Sequence, residues 1–222
     1  MNYKYILFDL DGTIIDSKAG VKSAARFALD KMGVPETQIT NLERMIGPPL
    51  KYSFKEFFSL SEEFADKAVE YFREYYRDKS LFDNDLYDGI VPLLEMLKND
   101  GYTLAIATSK PTVFAKRIIE KHGLIRYFDI VAGANLDDSH SGKSEIISHV
   151  CEQLNIYNVN QAIMIGDRLY DIKGANAVGM ESIGVLYGYG SLEEFQDAGA
   201  SYVVNTVKEL GQLLYSIKSD EE

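Results

Sequence analysis

The sequence predicts an α/β protein: a parallel sheet with flanking helices, interrupted after its first strand by an all-helical insertion. Three observations carry this. Short apolar runs alternate with helix-patterned segments along most of the chain, the pattern of βαβ units. About sixty residues after the first run contain no convincing strand. Glycines stand where helix C-termini are expected, at Gly101, Gly123, Gly179 and Gly199.

Taken in order, the candidate strands are Tyr5–Asp9, Thr103–Thr108, Phe128–Ala132, Ala162–Gly166, Ser182–Leu186 and Tyr202–Val204. Helical spacing between them is seen in Ile118 and Ile119, and again in Ile146, Ile147, Val150 and Leu154. Ser191 with Glu194 and Thr206 with Glu209 fit capping boxes. The expected division is residues 1–16 with 81–222 as the sheet core and 17–80 as the helical insert. In the insert, Val21, Ala24, Ala25, Ala28, Leu29 and Met32 form one apolar stripe, closed by Gly33 and Pro35. Thr40 with Glu43 predicts a short second helix ending at Gly47-Pro48-Pro49. Phe54, Phe57 and Phe58 mark a third helix, and Phe64, Ala68, Phe72 and Tyr75 a fourth. Such an insert is expected to lie as a lid over the carboxyl edge of the sheet, where ligands of open α/β sheets bind.

Composition narrows the function classes. The chain has 222 residues with 23 Lys+Arg against 34 Asp+Glu, a formal net charge of −11. A chain of this size buries about 70% of its unfolded surface, enough for a core without staples. The negative balance argues against a nucleic acid polymer as partner, because phosphate backbones demand basic patches. It is compatible with one small phosphorylated molecule, since a bound cation reverses the local sign. The single cysteine, Cys151, excludes an internal disulfide and a cysteine-based zinc site, and in its helix it reads as a small hydrophobe. No apolar run approaches a membrane span, and Met1-Asn2-Tyr3-Lys4 does not begin a signal peptide, so a cytoplasmic protein without a membrane partner is expected.

Chemistry concentrates at strand ends. The first strand runs into Asp9-Leu10-Asp11-Gly12-Thr13. Carboxylates at i and i+2 share one side of an extended chain. At about 4 Å and an effective dielectric of about 20 they repel by about 4 kcal/mol. A cation, or a proton on one of them, relieves this, which supplies a nucleophile and a proton-carrying acid. A second acidic pair, Asp167 and Asp171, follows the strand ending at Gly166, and such oxygen ligands suit Mg2+. Thr108-Ser109-Lys110-Pro111 ends another strand and offers hydroxyls and backbone N–H groups to an anion. Lys143 opens a helix after the polar loop 137–142.

As a set, Asp9-x-Asp11-Gly12-Thr13, Thr108, Lys143 and Gly166-Asp167-x-x-x-Asp171 resemble the four motifs of the haloacid dehalogenase-like phosphohydrolase superfamily, over nearly the whole chain. The insert after the first motif resembles the subgroup with a helical cap on a Rossmann-like core. Ile46-Gly47-Pro48-Pro49-Leu50, Thr108-Ser109-Lys110-Pro111, Gly166-Asp167-Arg168 and Gly188-Tyr189-Gly190 look most like its phosphoglycolate phosphatase-like and 5′-nucleotidase-like members. The resemblance implies Asp9 as nucleophile, forming an aspartyl-phosphate, and Asp11 as acid and then base. It implies Mg2+ held by Asp9, the Asp11 backbone carbonyl and Asp167, with Asp171 orienting a metal-bound water or Lys143. Thr108, Ser109 and Lys143 bind the phosphoryl group, and Lys143 offsets its charge. The implied reaction is hydrolysis of a small phosphate monoester by a monomer or homodimer, with a phosphosugar mutase of the β-phosphoglucomutase type as the alternative. Asp11 argues against dehalogenation, whose enzymes lack it. By the same resemblance Arg44, Gly47 and Lys51 face the site from the cap. Tyr71, Tyr75 and Tyr76 with Arg73 stand at helical spacing and read as cap core and surface.

Three apparent signals are set aside. Ser141-Gly142-Lys143-Ser144 imitates the end of a P-loop, but position 137 is aspartate where the first glycine is required. Gly188-Tyr189-Gly190 lacks the third glycine of a dinucleotide fingerprint. His122, His140 and His149 have no metal-ligand spacing between them, and His140 reads as a surface loop residue.

Overall fold

A computed structural model describes residues 3–136 and 142–219. His140, most of the loop before Lys143 and residues 220–222 lie outside the described residues. The strands are β1 (Tyr5–Phe8), β2 (Ile15–Asp16), β3 (Asp85–Leu86), β4 (Thr103–Pro111), β5 (Ile130–Ala134), β6 (Ala162–Gly166), β7 (Glu181–Val185) and β8 (Tyr202–Val204). The α-helices are α1 (Lys18–Lys31), α2 (Leu50–Phe58), α3 (Glu62–Tyr75), α4 (Ile90–Asn99), α5 (Thr112–Lys121), α6 (Lys143–Gln153), α7 (Leu169–Ala177), α8 (Leu192–Ala198) and α9 (Val207–Ser219).

Six strands form one parallel sheet in the order β5-β4-β1-β6-β7-β8. Ile6, Leu7 and Phe8 of β1 are fully buried, as a central parallel strand covered on both faces requires. Leu7 lies between Ala105 of β4 and Met164 of β6. From β1 the chain builds β4 and β5 on one side, then returns to build β6, β7 and β8 on the other. The strand order therefore reverses at β1, and the carboxyl ends of β1, β4 and β6 meet at the switch point. Below it Leu7, Ala105, Ala132 and Met164 pack with Ile146, Ile147 and Val150 of α6, with Cys151 partly buried against them.

All six predicted strands are present, β6 and β8 with the predicted ends and the other four with shifted ones. β5 begins two residues later than expected because Ile125–Tyr127 forms a 3-10 turn and Asp129 ties the entry to β4, its carboxylate accepting from Leu104 N–H at 3.0 Å. β4 continues past Thr108 to Pro111 through an irregularity described below. The four predicted terminal glycines have positive φ, and Ser191 and Thr206 accept from the N–H groups of Glu194 and Glu209 as capping residues.

The chain divides into two compact units, residues 1–15 with 86–222 and residues 16–85. Strands β2 and β3, where it passes between units, pair in a two-stranded sheet. The return comes five residues later than the sequence suggests. Leu81 is buried and Asp83 carbonyl accepts from Gly20 N–H of α1, so this stretch belongs with the helices. In the helical unit α1 buries Val21, Ala24, Ala25, Ala28 and Leu29, as its stripe predicts. Two expectations are corrected. Thr40 and Glu43 do not cap an α-helix: Leu42–Met45 is a 3-10 turn entered from Asn41 at φ 47°, and Glu43 pairs with Lys18 and Lys22. The Gly47-Pro48-Pro49 stop leaves too few residues for more. In α3 the buried stripe is Ala65, Ala68, Val69 and Phe72, so Phe64 turns outward and is 52% exposed. Phe72 meets Phe54 of α2 edge-on at 6.4 Å and stacks on Tyr76 at 5.6 Å, while Tyr75 stacks on Phe27 at 4.7 Å.

Candidate active site

The site is assembled from four chain segments, each delivered by a strand end or helix start at the switch point. Strand β1 ends at Phe8, and Asp9 is fixed beyond it by its N–H bond to the carbonyl of Ile165 in β6, at 2.8 Å. Asp167 follows β6, Asp171 sits in the first turn of α7, and Lys143 begins α6. One carboxylate oxygen from each of Asp9, Asp167 and Asp171 lies within 4.8 Å of the others, and all three residues are buried.

Lys143 binds this cluster together. Its ammonium lies 2.9 Å from Asp9 Oδ1 and 2.7 Å from Asp171 Oδ1, and it donates to the carbonyl of Ala107 in β4 at 3.0 Å. Burial opposes the charge of this lysine. Asp171 and Asp9 outweigh that, and hold the ammonium above its usual range. Asp171 also serves its own helix, accepting from Arg168 N–H at 3.0 Å.

The cluster holds more negative charge than one lysine neutralises. Burial pushes the Asp171 carboxyl up to about 6, with Lys143 offsetting part of the effect. Asp167 is fully buried. Its desolvation, reinforced by the charges of Asp171 and Asp9, raises it well above the ordinary carboxylate range. Its Oδ2 accepts from Tyr189 N–H at 2.8 Å, while Oδ1 is buried without a hydrogen bond. A buried acceptor left in that state costs about 1–3 kcal/mol or more. Three carboxylates and an unsatisfied oxygen form an all-oxygen donor set, which suits a hard divalent cation.

Asp11 leaves the group. Beyond Phe8 the chain is no longer extended, so the side-by-side carboxylates expected of a strand do not persist. Asp11 bridges to Ile15 in a tight turn and sends its carboxylate to Lys110, with Nζ 3.1 Å from Oδ1. Thr108, 1% exposed, accepts from Lys110 N–H through Oγ1 at 3.3 Å, and Ser109 is half-buried beside it.

Two features were not assigned to the site by sequence reasoning. Lys110 is one, although its position two residues after Thr108 was a usable signal. The other is the Gly188-Tyr189-Gly190 segment, set aside as an incomplete nucleotide fingerprint. Besides the Tyr189 N–H, it supplies close approach: a Cβ on Gly188 would stand 2.3 Å from both Asp167 Cβ and the Gly12 carbonyl. Gly12 itself turns at φ +81°, and a Cβ there would meet Asp167 Oδ2 at 2.0 Å. Both positions admit only glycine while Asp167 stays where it is. Tyr187 completes the segment by donating to the Thr13 carbonyl at 3.1 Å.

The residues expected to face the site from the insert are engaged within the helical unit. Arg44 lies 4.5 Å over the Phe57 ring and donates to the Phe57 carbonyl at 2.9 Å. Lys51 pairs with Glu62 at 2.6 Å and Asp66 at 2.7 Å, and Gly47 turns at φ 101° before the two prolines.

Residues 6–185 match the haloacid dehalogenase-like hydrolase family. The chain belongs to that family. Among its curated relatives, a 5′-nucleotidase of Pseudomonas aeruginosa is 38% identical over 97% of both chains. A phosphoglycolate phosphatase of Vibrio parahaemolyticus is 30% identical, over 93% of this chain and 94% of its own. Among solved structures, a predicted phosphatase from Clostridium acetobutylicum superposes with a TM-score of 0.92, at 45% identity over 97% of this chain and all of that one. As a haloacid dehalogenase-like hydrolase the chain is an enzyme, and its six-stranded parallel sheet is that of its relatives. Among the described residues, no helix is long and apolar enough to cross a membrane.

Proposed function

We propose that this protein is a Mg2+-dependent phosphatase that hydrolyses a small phosphate monoester through an aspartyl-phosphate on Asp9, with phosphoglycolate and nucleoside 5′-monophosphates as the leading substrates. Hydrolase family membership and the relatives named as phosphatases support the phosphatase reading. The observation that carries the mechanism is the buried Asp9, Asp167 and Asp171 cluster with Lys143 across it, at the sheet's switch point.

Asp9, Asp167 and the backbone carbonyl of Asp11 would hold Mg2+, which when bound supplies positive charge to the phosphoryl oxygens. A carboxylate approaching a phosphate dianion meets like charge, so electrostatic stabilisation carries most of the catalysis. Lys143 contributes its share of that charge and aims Asp9. Thr108, Ser109 and nearby backbone N–H groups receive the phosphoryl oxygens. Asp9 Oδ forms the bond to phosphorus as the ester oxygen leaves, and Asp11 gives that oxygen its proton. Water then adds to phosphorus, Asp11 takes a proton from that water, and Asp9 is released with inorganic phosphate.

Phosphate release over a panel of phosphorylated metabolites, with and without Mg2+, tests this reading and ranks substrates by kcat/KM. Asp9→Asn should remove turnover by more than about 1,000-fold while its melting transition stays cooperative. Retained turnover overturns the nucleophile assignment. Isomerisation of a sugar phosphate without phosphate release replaces the hydrolase by a mutase.

A further inference from the structure

The charge balance of the site leaves one acid to be explained. An ammonium has three N–H donors. Those of Lys143 already face three acceptors, Asp9, Asp171 and the Ala107 carbonyl, at 2.9, 2.7 and 3.0 Å. Lys143 is thus engaged by these three groups, and the ion pair of Asp11 is made elsewhere. The cation that Asp11 meets is Lys110, at 3.1 Å, with the two side chains only 7% and 16% exposed.

Lys110 reaches Asp11 because β4 is not regular. Its pairing with β5 runs in register to Thr108 opposite Gly133, then jumps to Pro111 opposite Ala134. Ser109 and Lys110 are the two extra residues of that bulge, a device that re-aims side chains beside active sites. The bulge is held from below. Lys110 carbonyl comes so close to Gly133 that a Cβ there would stand 2.1 Å away. Thr112 Oγ1 accepts from Gly133 N–H at 2.9 Å and donates to the Gly133 carbonyl at 3.0 Å, pinning that residue. From above, Lys110 N–H is tied to Thr108 Oγ1.

We propose that Lys110 is the positioning residue for Asp11, holding its carboxylate where it exchanges a proton with the leaving oxygen. Lys110 acts through Asp11 and makes no bond to the reacting phosphorus. The proposal rests on the phosphatase reading above and adds to it a residue outside the four motifs. It follows that Lys110 matters most when the leaving group needs a proton. An alkyl ester leaves as a strongly basic alkoxide unless protonated, whereas p-nitrophenolate leaves without help. kcat/KM reports the step in which Asp9 displaces the leaving group, so a series of esters isolates that step from later hydrolysis.

The experiment measures kcat/KM with Mg2+ for phosphate monoesters from p-nitrophenyl to alkyl, in the unaltered protein, Lys110→Met, Lys110→Arg, Asp11→Asn and the Lys110→Met/Asp11→Asn double variant. General acid catalysis is worth about 100-fold or more. Lys110→Met should therefore lose about 100-fold on the alkyl ester and less than about five-fold on p-nitrophenyl phosphate. Lys110→Arg should restore most of the loss, and the double variant should be no worse than Asp11→Asn alone. Equal losses on both esters, a raised KM with kcat kept, or additivity with Asp11→Asn overturn the proposal. If Lys110→Met gives no cooperative melt, Lys110→Gln is judged by the same criteria. Failure of the unaltered protein to hydrolyse any ester overturns the phosphatase reading, and this proposal with it. Hydrolysis with an unmoved leaving-group dependence overturns this proposal alone.

Discussion

Two lysines in this protein, one in each unit, make nearly the same contacts with opposite consequences. Lys143 spans Asp9 and Asp171 at 2.9 and 2.7 Å, and Lys51 spans Glu62 and Asp66 at 2.6 and 2.7 Å. The side chain of Lys143 is 4% exposed and that of Lys51 is 36% exposed. Water and salt screen the second set, so it ties α2 to α3 weakly. The first set has no such screening, and each charge in it depends on its partners. Distance alone would rank the two as equals; burial separates a surface clasp from a reactive centre.

The largest effect is expected from removing the buried cation. Lys143→Met should lower the unfolding free energy by about 3–5 kcal/mol, since it strands carboxylates that water cannot reach, and should abolish phosphate release. Denaturant unfolding and the phosphatase assay measure the two losses. A loss of activity with full stability would mean that Asp9 and Asp171 are far better solvated than their burial indicates.

A smaller effect of opposite sign is expected at Asp167. The Asp167 carboxyl lies well above its ordinary range when folded, so its ionisation opposes folding. The stability it allows is fully present below its unfolded pKa and is lost as pH rises toward the folded value. Near neutral pH and without metal, Asp167→Asn should therefore raise the melting temperature. If Mg2+ is held there as proposed, the unaltered protein should gain a further rise with Mg2+ and this variant should not. A melting scan of both proteins, with chelator and with Mg2+, checks both signs. The smallest effect is expected at Lys51→Met, whose melting midpoint and salt dependence should stay close to those of the unaltered chain.

Much of the core was legible from local pattern, because a central parallel strand such as Ile6-Leu7-Phe8 must be apolar throughout, and such runs are visible without partners. Asp9, Asp167, Asp171 and Lys143 were legible as candidates because they stand at strand ends or helix starts, which the chain itself delivers to one edge. The α3 stripe was less so: Phe64 and Ala65 are both apolar, and only packing against α2 and α1 selects which one is buried. Thr40 and Glu43 misled for a related reason, since a capping pair has no helix to cap when Gly47-Pro48-Pro49 stops it within a turn.

The alternation of strands and helices, the helical insertion and the motifs that mark the family are each written in residues near one another in the chain, and so needed no tertiary contact to be read. How the charges divide follows from the folded sheet instead. It set Lys143 across Asp9 and Asp171, sent Asp11 to Lys110 through a bulge, and closed Gly12 and Gly188 onto Asp167. Those pairings join residues up to 155 positions apart, between Gly12 and Asp167. Their energies depend on burial, which is a property of the folded sheet and of no single segment of it.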